Sequence, residues 1–486
     1  MPDLMEQSTD NLERGGATAG QRRLFVMLLA IGLILRIVAG VYSQGLAVTD
    51  EHQQYLEQAH RMLYGCGQQY WEQDRGMRHV LFQGLLAAGL YLLECLHVSN
   101  PLVQAAALRS VLGLAVFGSI ALFAWQQFKK ESPLAGLFLL GWSALSPDMI
   151  FISVRTLGET AMIVPLLLAW IALPRSPFWA GILLELMFGI RFQSGFLITG
   201  FAFLGVYDGF KSNDSAGRNH AFRLLAGLVV GLIVVGGIDK WYYGDWWHSP
   251  FAYFRANIIE HAAARFGVEP WHLYLRQVGE RLFQGSIFGP FLLFVGMYRQ
   301  PRLAFLALLF LIGHSAVGHK EFRFLWGVSP LVGVFLASGV DAVCTRADVM
   351  GRKKETLAII LLTFVVGMGI RGRKIEWNRE PFCSSAVALA NVGRQPDVTG
   401  VAVYGVATSQ CGNYFYLRQC VPLLTEDRAE PDITSFLSHS EWTTHQISHL
   451  ITPEIYAPLF AAWHPQEIDR RDGLVTYRLT HADTDR

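Results

Sequence analysis

Two acids stand side by side at Asp50 and Glu51, in the stretch TDEHQQYLEQAHRMLYG, directly after the first apolar run of the chain. A carboxylate at the end of a membrane span is partly withdrawn from water, and that desolvation raises its proton affinity toward that of a working base. The plainer reading is structural: Thr49 or Asp50 caps a helix over 51–64, whose first turn favours an acid through the helix dipole. The other polar residues out of keeping with so apolar a chain are Arg78, His79, Asp148, Arg155, Arg191, Asp239, Trp271, His272 and the run His319, Lys320, Glu321, Arg323. Ionisable groups in or beside a membrane are functional candidates by default. His60 and His79 could join Asp50 and Glu51 around a metal, but no CxxC pattern accompanies them and the expectation is that no metal or other cofactor is bound.

The elements that position these residues follow from composition. Of 486 residues, 52% are hydrophobic and 16% charged, where a soluble domain carries about 25% charged residues. The expected fold class is an α-helical polytopic membrane protein. A net charge of +1 provides no field for nucleic acid. A span needs about 20 apolar residues. The candidates are 23–43, 102–127, 134–147, 156–173, 177–190, 194–208, 222–240, 280–298, 302–318, 325–343 and 356–371, the first read as a retained span rather than a signal peptide. The run 79–96 either crosses or lies in the interface. If it does not cross, Arg22, Arg23, Lys129, Lys130, Arg175, Lys211, Arg218, Arg223, Arg299, Arg302, Arg346 and the GRKK at 351–354 all fall on one side, which the positive-inside rule makes cytoplasmic. Eleven spans, the N-terminus inside and the C-terminus outside are expected. The loops 44–101, 148–155, 241–279 and 319–324 then share the outer face with the tail, and they hold nearly all the unusual polar residues.

Four stretches, in order, resemble a known family. TDEHQQYLEQAHRMLYGCGQQYWEQDRGMRHVLF, SVRTLGET, DKWYYGDWWHSPFAYFRANIIEHAAARFGVEPWHLYL and GHKEFRFLWGVSPL are similar to conserved segments of the Alg/GPI-type mannosyltransferases, glycosyltransferase family 22 of the GT-C superfamily. The resemblance covers roughly 45 to 345. Departures are Ser249 for the usual Thr, a displaced Asn257, and Gly327 where Pro is common; they bear on the acceptor more than on the reaction.

The resemblance implies a GT-C-like fold and an inverting transfer of mannose from a polyprenyl (dolichyl-type) phosphate donor to a glycolipid or lipid-linked acceptor on the extracytoplasmic face. Such a transfer needs one carboxylate to take the acceptor's proton, and Asp50 is the expected base with Glu51 the close alternative. The phosphate needs cationic donors. His319, Lys320 and Arg323 are expected there, with Arg78, His79, Arg155 and Arg191 as further candidates. Arg155 and Arg191 could equally be ion-pair partners of Asp148 or Glu159. Trp271 and His272 are the sugar- or lipid-binding candidates of an aromatic block that could also be an interfacial belt.

Residues 1–372 are expected to form the transmembrane domain, with 44–101 its catalytic outer loop, and 373–486 a small soluble α/β domain outside. In that tail 398–407 reads as a strand and ISHLITPEIYAPLFAAW as helix and loop. Cys411–Cys420 could bridge there; Cys383 is the rival partner, or it could pair with Cys66, and all could remain free. Two other readings stand beside the enzyme: a lipid or sugar transporter or flippase, which would want mid-span polar groups and internal repeats, and a non-catalytic glycosylation subunit. The one N-x-S/T sequon, at 213–215, falls in an expected cytoplasmic loop. That leans toward a bacterial inner membrane over the endoplasmic reticulum.

Overall fold

Apolar runs punctuated by proline set the helices, because a proline at the first helical turn costs no hydrogen bond and fixes a helical φ. The computed structural model describes residues 17–212, 214–426, 432–444 and 446–479; Asn213 of the sequon lies outside the described residues. Helix α1 (Ala19–Tyr42) opens on a capping box between Thr18 and Gln21. A π-helical turn, Glu51–Leu56, leads into α2 (Glu57–Tyr64), so the expected helix over 51–64 is present, wound loosely in its first half. Gly65, at φ 78°, ends it in the left-handed conformation that glycine adopts without a steric cost. There follow α3 (Leu81–Cys95), α4 (Pro101–Lys130), α5 (Pro133–Leu145) and α6 (Pro147–Ser153). Next come α7 (Gly158–Ala172), α8 (Pro177–Ile190), α9 (Gly195–Lys211) and α10 (Ser215–Tyr243). The helical body ends with α11 (Leu273–Gly285), α12 (Gly289–Arg299), α13 (Pro301–Ala316), α14 (Ser329–Val349) and α15 (Lys353–Gly372).

Among the described residues, five helices are long and apolar enough to cross a membrane, and up to seven spans result if the bent pairs α5–α6 (69°) and α12–α13 (117°) each count as one. The shorter helices α7, α8 and α9 coincide with the expected runs 156–173, 177–190 and 194–208 but are below a full crossing in length. The expected span 280–298 is not continuous. It divides at Ser286, in extended conformation, between the amphipathic α11 and α12; within α11, Arg281 pairs with Asp148 at 3.6 Å and covers the Phe322 ring.

Small residues let the body close. A Cβ on Gly227 of α10 would lie 2.0 Å from the Phe178 carbonyl oxygen of α8, so the two backbones meet at a distance only glycine permits. Arg36, midway along α1, is fully buried. It donates to the carbonyls of Ser143 and Ala144 at 2.5 and 3.0 Å. These are last-turn acceptors of α5 that lack intrahelical partners. Arg36 therefore closes a helix end.

Beyond α15 the chain forms α16 (Phe382–Val392) and a five-stranded mixed sheet. Its strands are β1 (Val401–Ala407), β2 (Leu423–Glu426), β3 (His449–Pro453), β4 (Gln466–Arg471) and β5 (Leu474–Arg478), in spatial order β2-β1-β3-β5-β4. β1 pairs in parallel with β2 and β3, and Val401 lies opposite Leu423 on one side and His449 on the other. Side chains alternate along a strand. Val401 and Val403 join the core that runs into the helical body, while Ala402 and Tyr404 join a second core with Phe436, Trp442 and Phe460. The strand expected at 398–407 is β1. The segment expected to be helix and loop begins instead as β3, because its HLIT run is captured between β1 and β5; a 3-10 helix, Glu454–Trp463, follows.

The disulfide is Cys66–Cys420. Neither the expected Cys411–Cys420 bridge nor a Cys383 bridge forms. Cys383 and Cys411 are free and buried, Cys411 in the core shared with the helical body, whereas Cys66 sits on the loop after α2 and is bonded to Cys420. The bond ties segments 354 residues apart.

Candidate active site

Residues from the loop 44–101, the α8–α9 corner, the run 317–324, the linker 379–382 and the turn after β1 enclose a cavity of about 1500 Å³. A usual small-molecule site is about 300–1,000 Å³, so there is room for more than one ligand group. Asp50, Arg78, Arg191, His319, Lys320, Glu321 and Arg323 line it.

The acidic doublet splits. Asp50 stands at the N-terminus of the π-helical turn, yet makes no side-chain cap hydrogen bond. Its carboxylate instead faces the cavity wall, 2.7 Å from Arg323 Nη2, and is about one-fifth exposed. Glu51 turns the other way and is fully buried. It accepts the Ala47 amide at 2.6 Å and lies 3.7 Å from Arg155 Nη1. Burial pushes the Glu51 carboxyl up from its ordinary proton affinity, against the pull of the Arg155 charge.

Arg323 is the hub. Its Nε and Nη2 donate to the two oxygens of Glu321, each at 2.8 Å. Nη2 also meets Asp50, and Nη1 lies 3.5 Å from Glu159. Glu159 in turn pairs with Arg191 at 2.8 Å. Four chain segments thus meet in one run of alternating charge: Asp50, Arg323, Glu159, Arg191. The Nη1 atoms of Arg191 and Arg323 are buried without a hydrogen-bond partner, which is costly unless a ligand supplies the acceptor. His319 faces acceptors with both ring nitrogens, the Gly267 carbonyl at 3.1 Å and Glu321 at 3.2 Å. The bond to Glu321 raises its proton affinity, and only the imidazolium can donate to both. Burial works against the charge on Glu321, but the hydrogen bonds from Arg323 and His319 outweigh it and hold that carboxyl well below the usual range. Lys320 Nζ is turned onto carbonyls, those of Glu269 at 3.0 Å and of Val317.

Other candidates stand elsewhere. Arg155 is fully buried. It is spent on the Gly45 carbonyl at 2.6 Å, the Ser43 hydroxyl and Glu51. It therefore fixes the loop after α1. Asp148 serves neither Arg155 nor Arg191; Arg371 donates to both its oxygens. His79 reaches the Val235 carbonyl at 3.1 Å and lies 3.6 Å from Asp239, whose oxygens accept from the amide and hydroxyl of Ser249. His60 faces the Cys66 carbonyl at 3.0 Å. Neither histidine gathers with Asp50 and Glu51, and no group of three or more potential metal ligands occurs among the described residues. Trp271 and His272 lie outside the cavity, with Trp271 67% exposed.

Sequence reasoning missed Glu72, which clamps Arg78 through two hydrogen bonds of 3.0 and 2.8 Å. Six residues apart across a break, that pair has no helical spacing to reveal it. It also missed the cavity residues supplied by the sheet, Thr408, Ser409, Gln410 and Thr425.

The Alg9-like mannosyltransferase family matches the chain over residues 24–371, a stretch that carries every charged residue of this run. The chain belongs to that family. Among its relatives, mannosyltransferase APTG1 of Arabidopsis thaliana is 28% identical over 341 residues, 66% of this chain and 59% of that one. GPI mannosyltransferase 3 of Debaryomyces hansenii is 24% identical over 358 residues, 70% of this chain and 62% of that one. GPI alpha-1,2-mannosyltransferase 3 of Homo sapiens is 25% identical over 358 residues, covering 70% and 60%. The chain spans about three fifths of the length of these curated relatives. In fold it is similar to ArnT from Cupriavidus metallidurans bound to undecaprenyl phosphate, with TM-score 0.60 and 14% identity over 95% of this chain and 98% of that one. It is also similar to the Archaeoglobus fulgidus oligosaccharyltransferase, with TM-score 0.50 and 12% identity over 94% and 73%. The expected architecture, a polytopic helical body of GT-C type with a small C-terminal sheet, is the one found.

Proposed function

We propose that this protein is an inverting mannosyltransferase that takes mannose from a polyprenyl phosphate and passes it to a hydroxyl of a glycolipid or lipid-linked acceptor, on the extracytoplasmic side of its membrane. Family membership supports the sugar and the reaction class. The neighbour bound to undecaprenyl phosphate supports a polyprenyl phosphate as a ligand of this fold. The observation that carries the reading is the Asp50–Arg323 contact of 2.7 Å at the wall of the large cavity, one acid and one hub of cations facing the same space.

In this mechanism the acceptor oxygen attacks the anomeric carbon as the bond from that carbon to the phosphate oxygen breaks. The acceptor's proton passes to Asp50, and the polyprenyl phosphate leaves as an anion. A phosphate leaving group needs charge stabilisation rather than protonation, and the guanidinium groups of Arg191 and Arg323, both at the cavity wall, supply it. Glu159 and Glu321 hold the two guanidinium groups in place. Asp50 is the better base than Glu51, because Glu51 is sealed beneath the cavity against Arg155. The extracytoplasmic side is supported by the basic loops opposite and by the Cys66–Cys420 disulfide, which persists in oxidising compartments.

The test offers membranes containing the full chain two radiolabelled donors, polyprenyl phosphate mannose and a nucleotide-linked mannose. Label entering lipid from the first alone is expected. Label entering only from the nucleotide sugar would reject the donor.

A further inference from the structure

The family match ends at residue 371, yet the cavity wall continues past it. The linker 379–382, the turn Thr408–Gln410 and Thr425 all reach the cavity. Three contacts hold this part of the chain against the loop 44–101. Cys66 is bonded to Cys420. Tyr70 Oη accepts from Asn413 Nδ2 at 2.5 Å. Glu57 accepts the Phe415 amide at 2.9 Å while also accepting that of Gln68 at 2.7 Å. Gln68 and Gln69 are thereby fixed beside the turn after β1.

The chemistry of this end of the wall differs from that of the other. Gln68, Gln69, Ser409, Gln410 and Thr425 are uncharged amides and hydroxyls, each able to donate and to accept. The charged residues the tail adds are already engaged, Arg379 with Glu376 at 3.7 Å and Glu380 with the Ser384 amide at 3.0 Å. Between the two ends runs the helical turn of Asp50 itself. Gln54, one turn on, is nine-tenths buried, lines the cavity, and has an Oε1 with no partner. Arg323 and its neighbouring charges meet this stretch of chain at Asp50, and the tail and Gln68 meet it two turns on at Glu57, with the neutral hydrogen-bonding groups of the cavity wall beside them.

We infer that the C-terminal sheet completes the active site: the turn Thr408–Gln410 and Thr425, with Gln68 and Gln69, form the subsite for the acceptor's sugar, an uncharged, hydroxyl-rich glycan whose attacking hydroxyl points at Asp50. This rests on the transfer proposed above. It assigns the tail a part in acceptor choice, and the disulfide the task of holding the two halves of the subsite in register.

Gln69 and Gln410 suit a test, because both side chains are exposed and make no hydrogen bond to other described residues. The probe is the total glycolipid extract of a strain lacking the gene, titrated against fixed radiolabelled polyprenyl phosphate mannose, and then the donor titrated against fixed extract. Gln69→Ala and Gln410→Ala should each raise the KM for the extract about fivefold, the effect of losing one neutral hydrogen bond, and leave the KM for the donor within twofold of wild type. A merely structural role would move both constants or only kcat. Transfer with an unmoved KM for the extract overturns the subsite alone; no transfer by the wild type overturns the enzyme reading with it.

Discussion

The docking of the tail onto the helical body should depend on pH through Glu57. The carboxylate is fully buried and receives the amides of Gln68 at 2.7 Å, Phe415 at 2.9 Å and Tyr414 at 3.3 Å. The last two belong to the first turn of the short helix Asn413–Leu417. Glu57→Ala orphans the two short-bonded donors at about 1–3 kcal/mol each, so about 2–6 kcal/mol in all. That is a large share of the roughly 5–15 kcal/mol that holds a folded domain. The same burial pushes the carboxyl from 4.5 up to about 7 despite the three amides. The folded state therefore binds the proton more tightly than the unfolded one. The stability this provides is complete below pH 4.5 and is lost as pH rises through about 7, a change of about 3 kcal/mol. Hydrogen exchange on the full chain in nanodiscs, corrected for intrinsic rates, reads this directly. Between pH 5 and pH 8 the amides of Tyr414 and Phe415 should lose about two orders of magnitude of protection. Glu57→Gln should show no such slope, and Glu57→Ala should be less protected than wild type at pH 5. Equal protection in Glu57→Ala and wild type at both pH values would show that Glu57 does not hold the tail.

Two further outcomes follow from the charge run and the disulfide. Arg323→Ala strips Asp50, Glu159 and Glu321 of their shared cation. Breaking a buried pair costs about 3–5 kcal/mol, so transfer should vanish and the Tm in detergent should fall. Arg323→Lys should not restore transfer, since one ammonium cannot replace a planar fork that serves three carboxylates. Reductant should lower the Tm of wild type by opening Cys66–Cys420, a bond of a kind worth about 2–4 kcal/mol. The Tm of Cys66→Ser should already be low and insensitive to reductant.

The helical body was legible because apolar runs, prolines and basic loops are local signals. The segment 280–298 was not, since Glu280 and Arg281 inside an apolar stretch read as tolerable until Asp148 and the ring of Phe322 stood beside them. The His319–Arg323 run announced its chemistry by composition. Which acid faces it could not be read, because Asp50 and Glu51 are neighbours in sequence and the turn beneath them is π-helical rather than α-helical. Arg155 and Arg191 looked alike as lone arginines near span ends. Only the fold separates the one closed over Glu51 from the one that lines the cavity. The contribution of the sheet was invisible, for it depends on contacts spanning more than 300 residues, such as Tyr70 with Asn413.

In the proposed mechanism Asp50, and not its neighbour, takes the acceptor's proton. Rates of mannose transfer from saturating polyprenyl phosphate mannose, compared for Asp50→Asn, Glu51→Gln and wild type at equal amounts of folded protein, test it most directly. A loss of about 10²–10⁴-fold is expected for Asp50→Asn, the usual reach of a general base, and less than about tenfold for Glu51→Gln, whose amide oxygen still accepts from Ala47. Wild-type turnover by Asp50→Asn, or the larger loss at Glu51, would contradict it.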